Sequence, residues 1–300
     1  MHGFIVVDKP AGMTSHDVVA RVRRMLKTKK VGHTGTLDPF ATGVLPVSLG
    51  EGTKAIPFLD EGVKEYRAVM RLGVSTDTDD VEGTVIARRR LDGIDEASIR
   101  ETVAAFSGPM TQIPPMFSAI KRNGVPLYKL ARKGEEVERE PRQVTFYSLV
   151  VDRIESPLVA FTVRCSRGTY VRALARDIGE RLGCGAHLVG LRRTASGPFT
   201  LAVARTLEQL AVEAAAGAEA VEFISLAAAL SHLASVSLTA EGERRIRCGM
   251  APTSDDFEAP LPHLGSGERF RFTRGGMLVA VAEAFQEVSG ERLRLLRGFN

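Results

Sequence analysis

Gly32-His33-Thr34-Gly35-Thr36-Leu37-Asp38-Pro39-Phe40-Ala41-Thr42-Gly43 sets a single carboxylate among glycines, threonines and a histidine. Glycines let backbone approach a ligand closely, and Pro39 fixes its own φ while biasing Asp38 toward an extended conformation. The carboxylate is therefore expected on a stiff loop rather than on a helix. The wider stretch Val31 to Gly50 holds four glycines and two prolines among few charges, which predicts a loop-rich segment. An Asp-Pro turn with no ligand would carry the same spacing.

Working outward toward the N-terminus, Gly3 to Asp8 reads as an apolar strand. Lys9-Pro10-Ala11-Gly12 reads as a turn, and Thr14 or Ser15 caps a helix on which Val18, Val22 and Met25 or Leu26 recur at helical spacing. Arg21, Arg23, Arg24, Lys27, Lys29 and Lys30 crowd its other faces and its end, as a solvated face or an RNA-facing patch would. On the other side, Glu51 to Leu59 predicts a short helix. Glu65 to Gly73 alternates like a half-buried strand, and Asp77, Asp79, Asp80 and Glu82 predict a solvated acidic turn before a strand at Thr84 to Ala87.

Further on, Asp95 to Phe106 reads as a helix. Gly108 to Glu140, rich in Pro, Gly, Lys and Arg, reads as an insertion. Strands are expected at Gln143 to Ile154 and Leu158 to Cys165, a helix from about Thr169 to Leu182, and a strand from Ala186 to Arg193. Strands and helices interleave without the regular period of a doubly wound sheet, so a mixed α/β or α+β core is expected. Ala204 to Leu230 is alanine-rich and reads as helical, with Ser231 to Thr239 as a link to a small β module over 240–300.

The 300 residues are 44% hydrophobic and 25% charged, which suits a folded chain with one large core or two domains and excludes a disordered one. A formal net charge of +4 permits a polyanionic partner without requiring one. No apolar stretch approaches the roughly 20 residues a membrane-spanning helix needs, and the first strand follows Met1 almost at once, so a cytoplasmic protein with no membrane partner is expected. The cysteines Cys165, Cys184 and Cys248 are far apart and odd in number, against a disulfide framework. Cys184 and His187 form a lone C-x-x-H pair without two further ligands, so no metal site is expected.

A second segment, Cys165-Ser166-Arg167-Gly168-Thr169-Tyr170-Val171-Arg172, crosses from strand to helix and places an aromatic and a guanidinium two residues apart. Were Arg172 to face Asp38, it would orient the carboxylate bidentately and favour its ionised form, as a nucleophile at neutral pH requires.

Gly3 to Pro10, Gly12 to Ser15 and Lys30 to Pro46 resemble the TruB family of tRNA pseudouridine synthases. The likeness continues through Lys64-Glu65-Tyr66-Arg67, Gly73 to Asp80, Gln112 to Ala119, Ser166 to Arg172, Gly185 to Leu188 and Leu191-Arg192-Arg193. The resemblance implies a pseudouridine synthase core with a central mixed sheet and flanking helices over 1–235, a thumb-like RNA-clasping insertion at about 108–140, and a PUA-like domain over 240–300. It implies isomerisation of uridine 55 in the TΨC loop of tRNA. Asp38 falls at the family's catalytic aspartate, Arg172 at the arginine that pairs with it, and Tyr66 at a tyrosine that stacks on the base and takes part in proton transfer. Tyr170 and Leu191 fall at uracil-pocket positions, and His33 at a histidine that fills the place of the extruded base. Lys9, Lys121 and Arg132 are expected among the RNA contacts.

Extrusion makes physical sense because C1′ and the ring cannot be reached inside a stacked loop. Breaking an N-glycosidic bond and remaking a C–C bond involves no net redox change, so no cofactor is implied. The thumb sets the chain apart from guide-RNA-dependent relatives, so a stand-alone monomer without guide RNA is expected. A glycosidase would share the carboxylate but wants a second positioned acid. A non-catalytic tRNA-folding chaperone would share the binding surface, and both roles can coexist.

Overall fold

The computed structural model describes residues 1–118, 120–122, 124–131, 133–135, 137–261, 265–287 and 290–299. A ten-stranded mixed sheet forms the core. Its strands run in the order Ala204–Arg205, Gly3–Lys9, Thr42–Leu49, Ala186–Ser196, Val63–Leu72, Leu158–Ser166, Arg142–Glu155 and Gly108–Gln112, with Val31–His33 and Phe199–Thr200 as short side pairings. The ladders are antiparallel except where Gly3–Lys9 meets Ala204–Arg205 and where Thr42–Leu49 meets Ala186–Ser196. The expected mixed α/β core with flanking helices is therefore the observed one.

On one face, the helix Ser15–Met25 buries Val18 and Val22, and the helix Val171–Arg181 buries Val171, Leu174, Ala175 and Ile178. Both pack against Ile5, Val7, Leu45, Val47, Met70, Leu72 and Leu188 of the sheet. Complete burial of a Leu or Ile side chain contributes about 1.5–3 kcal/mol, enough to hold each helix in one place over the sheet. Thr14 caps the first of these helices in a reciprocal capping box with Asp17, as the Thr14 or Ser15 reading anticipates. The opposite face buries Phe4, Val6, Val44 and Phe199 with Leu226 and Leu230, and with Leu278, Val281 and Phe299 from the C-terminal part.

The loop reading of Val31 to Gly50 is corrected. Thr42–Leu49 is an interior strand, paired with Gly3–Lys9 over its length, and seven of its eight residues are buried. A strand buried on both faces shows an unbroken apolar run instead of alternation, and Val44, Leu45, Val47 and Leu49 are that run. Gly43, its second residue, has φ +101°, and a Cβ there would stand 2.2 Å from the carbonyl oxygen of Arg193, so only glycine fits.

The continuous helix expected over Ala204 to Leu230 is also corrected. Leu207–Ala216 ends at Gly217, which has φ +130°, and a second short helix runs only from Leu226 to Ala229. The presumed link at 231–239 contains the strand Ala234–Ser237, which pairs parallel with Arg269–Arg274. It opens a four-stranded sheet continued by Met277–Glu287 and Gly290–Gly298, with its own core of Val236, Phe270, Phe272 and Val279. Gly108–Gln112 is the outer strand of the main sheet, so the excursion from the sheet covers 113–141. Among the described residues, no helix is long and apolar enough to cross a membrane.

Candidate active site

Asp38 is held by its neighbours. Ser15 Oγ accepts from the Leu37 amide at 2.9 Å, and the Pro39 carbonyl accepts from Lys9 Nζ at 3.1 Å and from the Gly12 amide at 2.8 Å. With both flanking residues pinned, the carboxylate projects from a rigid loop, as Pro39 and the glycines led one to expect.

Arg172 meets it from the first turn of the helix Val171–Arg181. Its Nη2 donates to Asp38 Oδ1 at 3.3 Å while Nε stands 3.0 Å from Oδ2, so the guanidinium addresses both carboxylate oxygens. A cation near a helix N-terminus is disfavoured by the helix dipole, and neighbouring carboxylates offset this. The second carboxylate is Asp80, 3.1 Å from Nη1. Nη1 also donates to the Thr78 carbonyl at 2.8 Å, and Nη2 to the Phe117 carbonyl at 2.7 Å. The helix start is fixed by Gln112, whose side chain accepts from the Tyr170 amide at 2.9 Å and donates to the Tyr170 carbonyl at 3.1 Å.

The sheet supplies the walls. Tyr66 lies opposite Arg193 and Ala68 opposite Leu191 in the ladder between Val63–Leu72 and Ala186–Ser196, so Tyr66 and Leu191 share one face. Asp38, Tyr66, Tyr170, Arg172 and Leu191 all line one cavity of about 610 Å³. Burial pushes the Asp38 carboxyl above the usual carboxylate range, while the Arg172 charge opposes this. Burial also pushes the Tyr66 phenol up to about 12, so it is protonated in the resting site, and raises Tyr170.

His33 stands one shell away. Its ring meets His16, which lines the cavity, edge-on at a centroid distance of 5.2 Å. Burial, with His16 second, holds it down to about 4, so the ring is a neutral plane at physiological pH. Lys9, expected on RNA, is corrected: it is fully buried, and its ammonium donates to the carbonyls of Pro10, Met13 and Pro39. A lysine so enclosed cannot reach a phosphate; it clamps the Asp38 loop. Lys121 is exposed in a small hairpin of the 113–141 excursion, and Arg132 lies outside the described residues.

Sequence reasoning missed Asp80 by placing it on a solvated turn; it is 3% exposed, and Asp79 beside it pairs with Arg176 at 3.0 Å. The detectable signal was the Arg172 requirement itself, since a buried guanidinium commonly needs more than one acceptor. Lys64, another lining residue, was also missed; burial brings its amine down to about 8. His187 of the C-x-x-H pair turns Nδ1 to the Val74 carbonyl at 2.8 Å.

A carboxylate whose two oxygens both face one guanidinium, in a cavity lined by two tyrosines and a leucine on this mixed sheet, fits an RNA base-isomerising enzyme of the pseudouridylate synthase class. Residues 23–171 match the family model described as TruB family pseudouridylate synthase (N terminal domain), and 172–233 match tRNA pseudouridylate synthase B C-terminal domain. The tRNA pseudouridine synthase B of Geobacter sulfurreducens is 56% identical over 304 residues, covering 100% of both chains. That of Geotalea uraniireducens is 56% identical, covering 95% of this chain and 92% of its own. The chain belongs to the TruB family of pseudouridylate synthases. Among solved structures, that of a Cbf5-Nop10-Gar1 complex is similar at a TM-score of 0.76 and 29% identity, covering 100% of this chain and 85% of its counterpart. The structure of an H/ACA RNP bound to a substrate RNA containing 2'-deoxyuridine is similar at 0.75 and 27%, with the same coverage.

Proposed function

We propose that the enzyme converts uridine 55 in the TΨC loop of tRNA to pseudouridine, with Asp38 as the nucleophile. The observation that carries this is the Asp38–Arg172 pair, in which one carboxylate oxygen accepts from Nη2, the other lies 3.0 Å from Nε, and the carboxylate lines the cavity. In the reaction the bond from C1′ to N1 breaks, the uracil turns in place, and a bond from C1′ to C5 forms. The C5 proton leaves and N1 ends protonated, so the product is an isomer. A rigid carboxylate and a closed pocket retain the detached base long enough to recombine.

Tyr66 lies against the base and engages its proton transfers, while Tyr170 and Leu191 complete the uracil pocket. The neutral ring of His33 replaces the extruded base in the stack, which partly offsets the few kcal/mol that unstacking costs. Residues 113–141, with Lys121 and Arg132, act as a thumb on the RNA, and the C-terminal sheet acts as a PUA-like RNA-binding module beside a catalytic domain ending near 235. The enzyme works as a monomer and without a guide RNA.

The test is to incubate the purified chain alone with unmodified tRNA and map carbodiimide-reactive, mass-silent products. Stoichiometric pseudouridine at position 55, absent from a transcript carrying cytidine there, is the expected result. Modification elsewhere, or only after a guide RNA is added, would overturn the assignment.

A further inference from the structure

Arg193 is a cation with no exposure, set in the face of the sheet that forms the cavity. Its Nε donates to the Val44 carbonyl at 2.7 Å and its Nη2 to the Gly35 carbonyl at 3.0 Å, so it ties together the two ends of the Asp38 loop. Nη1 has no hydrogen-bond partner of full geometry among the described residues. A buried, unsatisfied donor on a permanent cation is costly, and it sits where the nearest feature across the ladder is Tyr66, its direct register partner. Directly opposed side chains on one face have Cβ atoms about 4.5–5.5 Å apart. Both side chains are buried, so no bulk solvent screens the guanidinium from the phenol.

We infer that Arg193 is a positioning residue for Tyr66: its guanidinium holds the phenol oxygen as an acceptor and so turns the O–H toward the cavity. This rests on the reading of Tyr66 as the tyrosine that engages the base. Left free, a phenol can rotate its proton toward either side. A cation fixed on the strand side leaves only the cavity side for donation and stabilises negative charge on the oxygen whenever its proton is shared. The pull of Arg193 on the phenol opposes burial, which nonetheless dominates. Cys165, Asp38, Lys64, Lys9 and His33 are titratable groups around the two side chains, and Asp38 and Cys165 act on the phenol in the opposite sense to Arg193. Arg193 therefore serves the site twice, at Asp38 through the loop ends and at Tyr66 across the sheet.

The experiment places a fluorinated tyrosine at position 66, whose greater acidity brings its ionisation into an accessible range, and follows it by fluorine NMR. Arg193→Gln should raise that transition by about one unit or more, and Arg193→Lys, which keeps a cation, should move it less. With tRNA, Arg193→Gln should lower kcat at least tenfold with KM within about threefold, and its effect in a Tyr66→Phe background should be clearly smaller than in the wild type, the remainder being the loss of its tie to the Asp38 loop. An unmoved transition in Arg193→Gln, or losses that simply add, would overturn the inference. Should Arg193→Gln not fold, Tyr66→Phe decides: removing the acceptor should lower the unfolding midpoint, and an unchanged midpoint overturns the inference. Failure of the underlying reading looks different, since Tyr66→Phe would then keep full turnover whatever the NMR transition does.

Discussion

Asp38 and Asp80 flank the same guanidinium, yet they come from regions built on opposite principles. The Asp38 loop is rigid around its carboxylate but leaves it one-third exposed to the cavity, whereas the Asp80 carboxylate is 4% exposed and sealed in its turn. In that turn Thr78 Oγ1 donates to Asp80 Oδ1 at 2.6 Å, and the Glu82 amide donates to the same oxygen at 3.0 Å. Asp80 thus has its acceptor capacity filled by protein, while Asp38 has a face to spare. On the proposed function, the difference teaches that one carboxylate is placed to react and the other to hold the residue that orients it. A single arginine bridges the two, so the sealed ion pair to Asp80 fixes the guanidinium that faces Asp38.

The largest expected effect separates the two carboxylates. Asp38→Asn should lower single-turnover pseudouridine formation to background while leaving tRNA affinity within a few-fold, because the carboxylate acts in the transition state and the surface does the binding. Its effect on stability should be small or favourable, since a partly buried carboxyl whose ionised form is disfavoured is replaced by a neutral group. Asp80→Asn should do the reverse: activity falls about a hundredfold but persists, and stability drops by about 2–3 kcal/mol in denaturant titration. That is at or below the roughly 3–5 kcal/mol cost of breaking a buried pair, because Arg172 keeps Asp38 and two carbonyls. Equal stability losses in the two variants would erase the distinction.

Arg172→Lys sharpens the comparison from the middle. An ammonium cannot serve two carboxylates and two carbonyls in one plane, so turnover should fall at least tenfold. The acid limb of kcat/KM should also move. Burial raises the Asp38 carboxyl and Arg172 opposes this, so the nucleophilic form is lost on acidification at a higher pH than for a free carboxylate, and weakening the arginine contact moves that limb higher still. A limb that stays put in Arg172→Lys would mean that another group sets it.

The effect of His33 should be smaller and of a different kind. Because its ring is neutral down to about 4, it contributes no titration between pH 5 and 8, and His33→Phe should retain most activity while His33→Ala loses about tenfold. Equal losses would make it a hydrogen-bonding or proton-transferring group. Lys121→Glu should act least, weakening tRNA binding a few-fold and reducing the slope of log K against log salt by about one.

How much of this could be read in the sequence depended on how local the signal was. The strand at Val63–Leu72 and the helix at Val171–Arg181 declare themselves by alternation and by the spacing of Val171, Leu174, Ala175 and Ile178. Thr42–Leu49 did not, because an interior strand lacks alternation and its glycine and proline counted as breakers. Asp38 and Arg172 were legible as chemistry in search of a partner, 134 residues apart. The Asp80 turn and the burial of Lys9 were not, since acidic turns and lysines are ordinarily solvated and only tertiary packing inverts that expectation.

The most direct test runs Asp38→Asn and Asp80→Asn side by side, each in excess over unmodified tRNA, following pseudouridine at position 55 to the end of the reaction. Asp38→Asn should stay at background at every time, and Asp80→Asn should approach completion slowly. Product accumulating with Asp38→Asn would contradict the assignment of that carboxylate as the nucleophile.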